Sequence, residues 1–272
     1  MKKVLVIGET CVDEFIYGRC EKISPEAPVP VFVPELNVEA SGGKFLGMAS
    51  NVFKNLMMLD VEVDIITNHE NPMPVKTRYV DEVSNQMLLR VDRNDRVHPI
   101  SDEQFTSINY GEYAAIVISD YDKGFLSYED IMHVAERHEL VFLDSKKELQ
   151  HWCDDIKFIK VNMKEFERSQ HYLNQYYPHN VIVTLGSDGA LYNNKNIYIK
   201  PEKKVLVRDV AGAGDTFFAA FVANYLKNND ICQAIHFANK CASWVVTQRG
   251  VVPINLTKLE DGKNKNTCSC RS

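Results

Sequence analysis

The 272-residue chain contains no apolar run near the roughly 18 residues that a membrane-crossing helix requires, so no membrane span is expected. Cations are scarce as well: 31 Lys and Arg against 37 Asp and Glu give a formal net charge of −6. That balance argues against a nucleic-acid partner, because neutralising a duplex needs a basic surplus, while local basic pockets for small anions stay compatible with it. The seven cysteines include no CxxC pair. Cys11, Cys153, Cys232 and Cys241 sit in apolar or helical stretches, as reduced thiols do. Cys268 and Cys270 have no neighbouring His and make a poor metal site. The opening Met1–Ile7 imitates a signal peptide only briefly, since Gly8-Glu9 and Asp13-Glu14 end the apolar run. A reduced, cytoplasmic location is the expectation. Two nucleotide motifs are missing too. Gly8–Asp13 lacks GxGxxG, and no GxxxxGK[ST] occurs, which disfavours a dinucleotide dehydrogenase and a P-loop kinase.

What is present is an apolar content of 45%, enough to exclude global disorder. The length suits one large domain or two small ones. Val4–Ile7, Val63–Ile66, Ala115–Ile118, Val141–Leu143, Ile159–Val161 and Val181–Thr184 read as buried strands. Helical patterns alternate with them: Ala49–Leu59, the stretches opened by the capping boxes at Ser101 and Ser127, Met163–Tyr176, Thr216–Lys227 and Ile231–Thr247. This alternation predicts an α/β fold with a central, mainly parallel sheet flanked by helices. Phe15–Tyr17, Val29–Val33, Lys76–Val80 and Met87–Val91 carry polar residues on one side and predict a small β-sheet lid, within about residues 14–38 and 75–92. Pro25, Pro28 and Pro30 confine their segment to a sheet edge. The domain is expected over 1–257, followed by a polar, disordered tail over 258–272.

The strongest chemical signal is Asp209-Val210-Ala211-Gly212-Ala213-Gly214-Asp215-Thr216, which runs into an apolar helix. Small residues at a helix N-terminus let unpaired amides meet an anion. A carboxylate at that spot makes sense as the base that takes a proton from a hydroxyl attacking a bound phosphoryl group. A tight strand-to-helix turn is the plain alternative. From Asp209 to Val222 the chain resembles the second signature of the PfkB/ribokinase family of carbohydrate kinases, with Ala211 where Thr is commoner. The resemblance implies a ribokinase-like fold, ATP as phosphoryl donor and Mg²⁺, with Asp215 as base and Gly212, Ala213 and Gly214 as the anion hole. Asn162-Met163-Lys164-Glu165 is similar to the family's Asn-x-x-Glu, which organises Mg²⁺ and phosphates largely through water. Thr184, Gly186 and Gly189 resemble the nucleotide-side loop, and Asn239 falls in the helix bordering the adenine site.

At the sugar end, Asp13 resembles the acid that binds sugar hydroxyls. Leu46–Val52 looks like the family's Gly-Gly-x-x-Asn-Val, with Met48 for the second glycine, Asn51 as a hydroxyl ligand, and Gly42-Gly43 read as a loop. Ser24–Pro30 closely resembles a segment of the D-glycero-β-D-manno-heptose 7-phosphate kinase branch. Val75–Tyr79, Leu88–Asp92 and Ser119–Gly124 are similar to that branch as well, which adds Lys123 to the substrate ligands. Lys76 and Arg78 alternate on one strand and so share a face, suiting a sugar that already bears phosphate. Lys146, in Asp144-Ser145-Lys146, is expected to reach a nucleotide phosphate. The family usually runs through a further helix and strand after Thr67, where here only His69–Pro74 intervene. An edge left uncovered there predicts a homodimer. The competing readings are a kinase of the same fold for another sugar, sugar phosphate or nucleoside, and a non-catalytic sugar or nucleotide sensor.

Overall fold

The computed structural model describes residues 2–35, 43–69, 72–175, 181–192, 197–202 and 204–261. Gly42, Tyr176, Cys268, Cys270 and the stretch 36–38 of the expected lid lie outside the described residues. The elements are β1 (Lys3–Gly8), β2 (Thr10–Ile23), β3 (Pro30–Pro34), β4 (Lys44–Met48), α1 (Ala49–Met58), β5 (Val63–Ile66), β6 (Val75–Asp81), β7 (Met87–Arg93), α2 (Asp102–Thr106), β8 (Tyr113–Asp120), α3 (Tyr128–Arg137), β9 (Val141–Ser145), β10 (Phe158–Asn162), α4 (Met163–Arg168), α5 (Gln170–Gln175), β11 (Val181–Thr184), β12 (Ala190–Tyr192), β13 (Ile197–Ile199), α6 (Ala213–Asn228), α7 (Ile231–Val245) and α8 (Leu256–Asp261).

Eight strands form the main sheet in the order β13-β12-β11-β10-β9-β8-β1-β5. All pairs from β5 to β11 are parallel, and β12 and β13 close the far side antiparallel. Because successive side chains point to opposite faces, the continuous apolar strands feed two cores. Val4, Val6, Ala115, Val117 and Phe142 meet α1, α6 and α7 on one face. Leu5, Ile7, Ile116, Ile118 and Leu143 meet α3 and α5 on the other. Parallel strands bring all their carboxyl ends to one sheet margin, where Glu9, Asp120, Asp144, Asn162 and Thr184 gather.

The second sheet has five strands in the order β3-β2-β6-β7, with β4 paired to β2. The proline-bearing β3 is an edge, as expected. β2 is far longer than Phe15–Tyr17, because one half pairs with β4 and the other with β3, while β6 lies alongside in parallel. The lid packs over the glycine turn through Phe15, Tyr17, Val80 and Val251, joined by Phe45 and Ala211.

Several elements differ from the sequence expectation. Leu46–Met48 forms the end of a strand, while α1 begins at Ala49 as expected. Met163–Tyr176 is not one helix: Ser169 interrupts it, and its hydroxyl accepts from the Leu149 N–H at 2.9 Å. Where a polar tail was expected from Lys258, α8 continues to Asp261 and buries Leu259 in the first core. β5 does end the sheet, but the chain covers much of it itself. Val63 and Ile65 are half-buried among the residues packed on the α1–α6 core, and Ile66 joins the opposite one. The short bridge after β5 is fastened to β2: the Asn68 carboxamide accepts from the Thr10 N–H at 2.7 Å, and Thr67 donates to the Thr10 hydroxyl at 2.8 Å.

Candidate active site

The glycine turn is built by its own side chains. Asp209 accepts from the Ala211 N–H at 2.8 Å and from the Gly250 N–H at 3.2 Å, fixing the approach to the helix. Gly212 then adopts φ +75° as the N-cap of α6, and no side chain caps that helix. A Cβ at Gly212 would fall 2.6 Å from Nδ2 of Asn51, so glycine is required here by conformation and by space. The Ala213 N–H donates to the Val210 carbonyl at 3.2 Å, leaving the following amides of the first turn to meet an anion.

Asp215 lies buried in that first turn. Tyr121 donates its hydroxyl to Oδ1 at 2.5 Å, and Asn51 donates Nδ2 to Oδ2 at 3.1 Å. Asn51 is itself held by Asn55, whose Nδ2 donates to the Asn51 carbonyl at 2.8 Å and to its Oδ1 at 3.0 Å. Asn55 in turn accepts from the Ile254 N–H at 2.9 Å. Burial pushes the Asp215 pKa from 3.8 up to about 6, with the Tyr121 and Asn51 donors pulling against it, Asp144 adding to it and Lys160 opposing it. The carboxylate is therefore ionised at neutral pH yet basic enough to accept a proton. Asn51, expected to touch sugar, donates to this acid.

Two cations border the turn, Lys160 buried and Lys146 half-buried. Lys160 on β10 pairs with Asp144 at 2.7 Å, and a Cβ at Gly214 would stand 3.2 Å from its ammonium. Lys146 lies 3.4 Å from Asp144 and 2.6 Å from Glu165. Burial works against the Lys146 ammonium, but Asp144 and Glu165 outweigh it and hold its pKa above the ordinary value. Asn162 and Glu165 form a reciprocal capping box at the start of α4, with the Asn162 N–H donating at 2.8 Å and its Nδ2 at 2.7 Å. Glu165 thus accepts from three donors, and of about four acceptor sites on a carboxylate one is left. That fits a hydrated Mg²⁺ held through water rather than directly. Among the described residues no cluster of three or more His, Cys, Asp or Glu forms a cation cage.

Behind α6 lies a cavity of about 300 Å³, lined among others by Thr184, Gly186, Gly189, Ala213, Gly214 and Asn239. Thr184, Gly186, Gly189 and Asn239 thus converge from β11, the following loop and α7, whereas Asn162 and Lys146 do not line this cavity. Asn239 also ties α7 to β13, donating to the Ile199 carbonyl at 3.0 Å.

The sugar-side residues are brought together less uniformly. Gly47 lies beside Asp13, where a Cβ would come within 1.8 Å of Oδ2, so the strand pairing of β4 with β2 needs a glycine there. Met48 takes φ +57°, a left-handed conformation ordinarily left to glycine. Arg78 and Asp13 form an ion pair at 2.5 Å. Lys76, on the same face of β6, has its ammonium 4.9 Å from the Tyr121 ring centroid. Lys123 is paired with Asp95, and only its backbone N–H, donating to Glu9 at 2.9 Å, belongs to the loop that carries Tyr121.

Tyr121, Asn55, Lys160 and Glu9 escaped the sequence reading. Lys160 left a signal, a lone cation inside the apolar run Phe158–Val161. Glu9 left one as well: a carboxylate directly after a buried strand, here fully buried and collecting the N–H groups of Tyr121 and Lys123.

A mainly parallel sheet flanked by helices, with a second small sheet over the glycine turn, is a ribokinase-like fold. Solved structures share it: a nucleoside kinase of Methanocaldococcus jannaschii, an archaeal member of the ribokinase family, superimposes with a TM-score of 0.71 at 19% identity over 98% of this chain and 99% of that one. Arabidopsis thaliana ribokinase complexed with ribose and ATP gives 0.68 at 17% identity over 95% and 98%. Residues 50–258 match the pfkB family carbohydrate kinase model, and the chain belongs to that family. Curated relatives include the bifunctional protein HldE of Helicobacter hepaticus, 31% identical over 91% of this chain and 61% of that protein. HldE of Nitratiruptor sp. is 28% identical over 95% and 64%. The chain spans less than two thirds of the length of these relatives.

Proposed function

We propose that this carbohydrate kinase uses ATP and Mg²⁺ to phosphorylate D-glycero-D-manno-heptose 7-phosphate at O1. The observation that carries the chemistry is the Asp215 carboxylate, held by Tyr121 and Asn51 in the first turn of α6 between the lid and the cavity. In this reading Asp215 accepts the proton of the attacking hydroxyl, and the amides of the first α6 turn meet the developing charge on the phosphoryl oxygens. Lys160, next to Gly214, places an ammonium paired with Asp144 on that side. Mg²⁺, when bound with the nucleotide, supplies charge neutralisation on the phosphates, and Asn162 and Glu165 would hold its water shell. The substrate class is supported by the Ser24–Pro30 resemblance, by the identity to HldE proteins, and by Lys76, whose ammonium has an aromatic face rather than a carboxylate as its neighbour.

A second reading, a kinase for an unphosphorylated sugar or nucleoside, is favoured by the Asp13–Arg78 pair, which neutralises one of the two cations assigned to a sugar phosphate. ADP formation across a panel of sugars, sugar phosphates and nucleosides separates the two. Turnover highest with the heptose 7-phosphate supports the first; preference for a neutral acceptor establishes the second. Tight binding of ligands with no ADP formed from any of them would leave a sensor.

A further inference from the structure

Tyr121 is the side chain most closely engaged with Asp215. Its position is set from three directions. The backbone N–H donates to Glu9 at 2.7 Å, and the ring lies against the ammonium groups of Lys76 on β6 and Lys146 after β9, 4.9 and 5.1 Å from its centroid. So held, the hydroxyl has the Asp215 carboxylate as its acceptor at 2.5 Å. The phenol keeps its proton, because burial and the negative charges of Asp215 and Asp144 push its pKa well above the ordinary value.

The groups facing the pair come from every neighbouring element. Cys11 of β2, Asp144 of β9, Lys146, Lys160 of β10 and Lys76 of β6 surround it, and Asn51 of α1 is the other donor to Asp215. Burial favours the neutral acid, and the two hydrogen-bond donors work in the opposite sense. Two donors occupy two of about four acceptor sites on the carboxylate, so sites remain for a substrate hydroxyl.

We propose that Tyr121 is a positioning residue for phosphoryl transfer, its hydroxyl holding Asp215 as an oriented carboxylate ready to accept the substrate proton. The inference rests on the reading of Asp215 as the base. In the step itself the sugar hydroxyl proton passes to Asp215 while the new O–P bond forms. The bond from the γ-phosphorus to the β–γ bridging oxygen breaks, ADP leaves, and Tyr121 keeps its own proton throughout.

The test is Tyr121→Phe in the full chain, which removes the hydroxyl and keeps the ring between its two cations. Carboxyl-¹³C aspartate labelling of the ligand-free protein reports Asp215 directly, its resonance assigned by loss in Asp215→Asn. Asp215 should titrate near 6 in the wild type and about one pH unit or more higher in Tyr121→Phe, as loss of a charge-assisted donor implies. The acid limb of kcat/KM should move by the same amount, with kcat on the plateau about tenfold lower and KM for ATP unchanged. A packing role alone would leave both pH profiles in place. Superimposable titrations in the two proteins, with Asp215→Asn inactive, overturn the role of Tyr121 and spare the base. Near-normal kcat in Asp215→Asn removes the base and the inference together.

Discussion

Arg78 donates through Nη1 to Oδ1 of Asp13 at 2.5 Å, so the two residues that the sequence assigns separately to a sugar's phosphate and its hydroxyls neutralise one another. Both are largely buried, with side-chain exposures of 14% and 7%, whereas Lys76, two residues along the same strand, is directed at Tyr121 instead. The pair therefore behaves as one polar unit of the lid.

Arg78→Ala should for that reason cost stability, about 2–4 kcal/mol, because it strands a buried carboxylate. Lys76→Ala should leave urea unfolding nearly unchanged and raise KM for a phosphorylated sugar about 10–150-fold, the range for a charge-assisted contact. Equal stabilities for the two variants would contradict the assignment.

Asp215→Asn should lower kcat by about 10² or more while ATP affinity, read by titration calorimetry, stays within a few-fold. A nucleotide affinity that collapses along with kcat would make Asp215 a binding group instead.

The same variant should be more stable than the wild type at pH 7.5. A folded-state pKa of about 6 against 3.8 means that the acid favours folding fully below pH 3.8 and loses that contribution as pH rises through 6. A neutral amide escapes this loss, a gain of about 1–3 kcal/mol before any weakening of the Asn51 contact. Thermal melts of the two proteins should differ at pH 7.5 and converge below about pH 4.

Gly212→Ala should lower both stability and kcat. The left-handed backbone costs about 1–2 kcal/mol with a Cβ, and the added carbon meets Asn51 2.6 Å away, displacing a donor from Asp215. A crystal structure with Asn51 unmoved, or a kcat within twofold, would contradict this.

Light scattering at micromolar concentration should return twice the 31.1 kDa of the chain. The support is the outer lid, where Met87, Leu88 and Leu89 of the edge strand β7 are 52%, 39% and 57% exposed, a run that a second copy would cover. A monomer that binds little apolar dye would refute it.

Much of this architecture is legible from local chemistry. Strands β1, β8, β9 and β11 announce themselves because strands buried on both faces must be continuously apolar, and α3 begins where its Ser127 capping box says it does. Asp215 stands out in the sequence because the whole run Asp209–Val222 resembles a family signature; a carboxylate in a first helical turn is by itself ordinary. β12 and β13 are not: each is three residues long, too short for any period to show.

Amino-acid order alone thus specified the parallel strands and the glycine turn that carries Asp215 into the start of α6, since each depends on neighbours a few positions away. The partners of those residues came only with folding. Asp215 meets Asn51 from 164 positions away and Tyr121 from 94, and Asp13 meets Arg78 across 65. Such contacts arise where parallel strands bring their carboxyl ends to one margin and the lid closes over it. No local pattern encodes them, because a hydrogen bond or ion pair is decided by distance and burial in space.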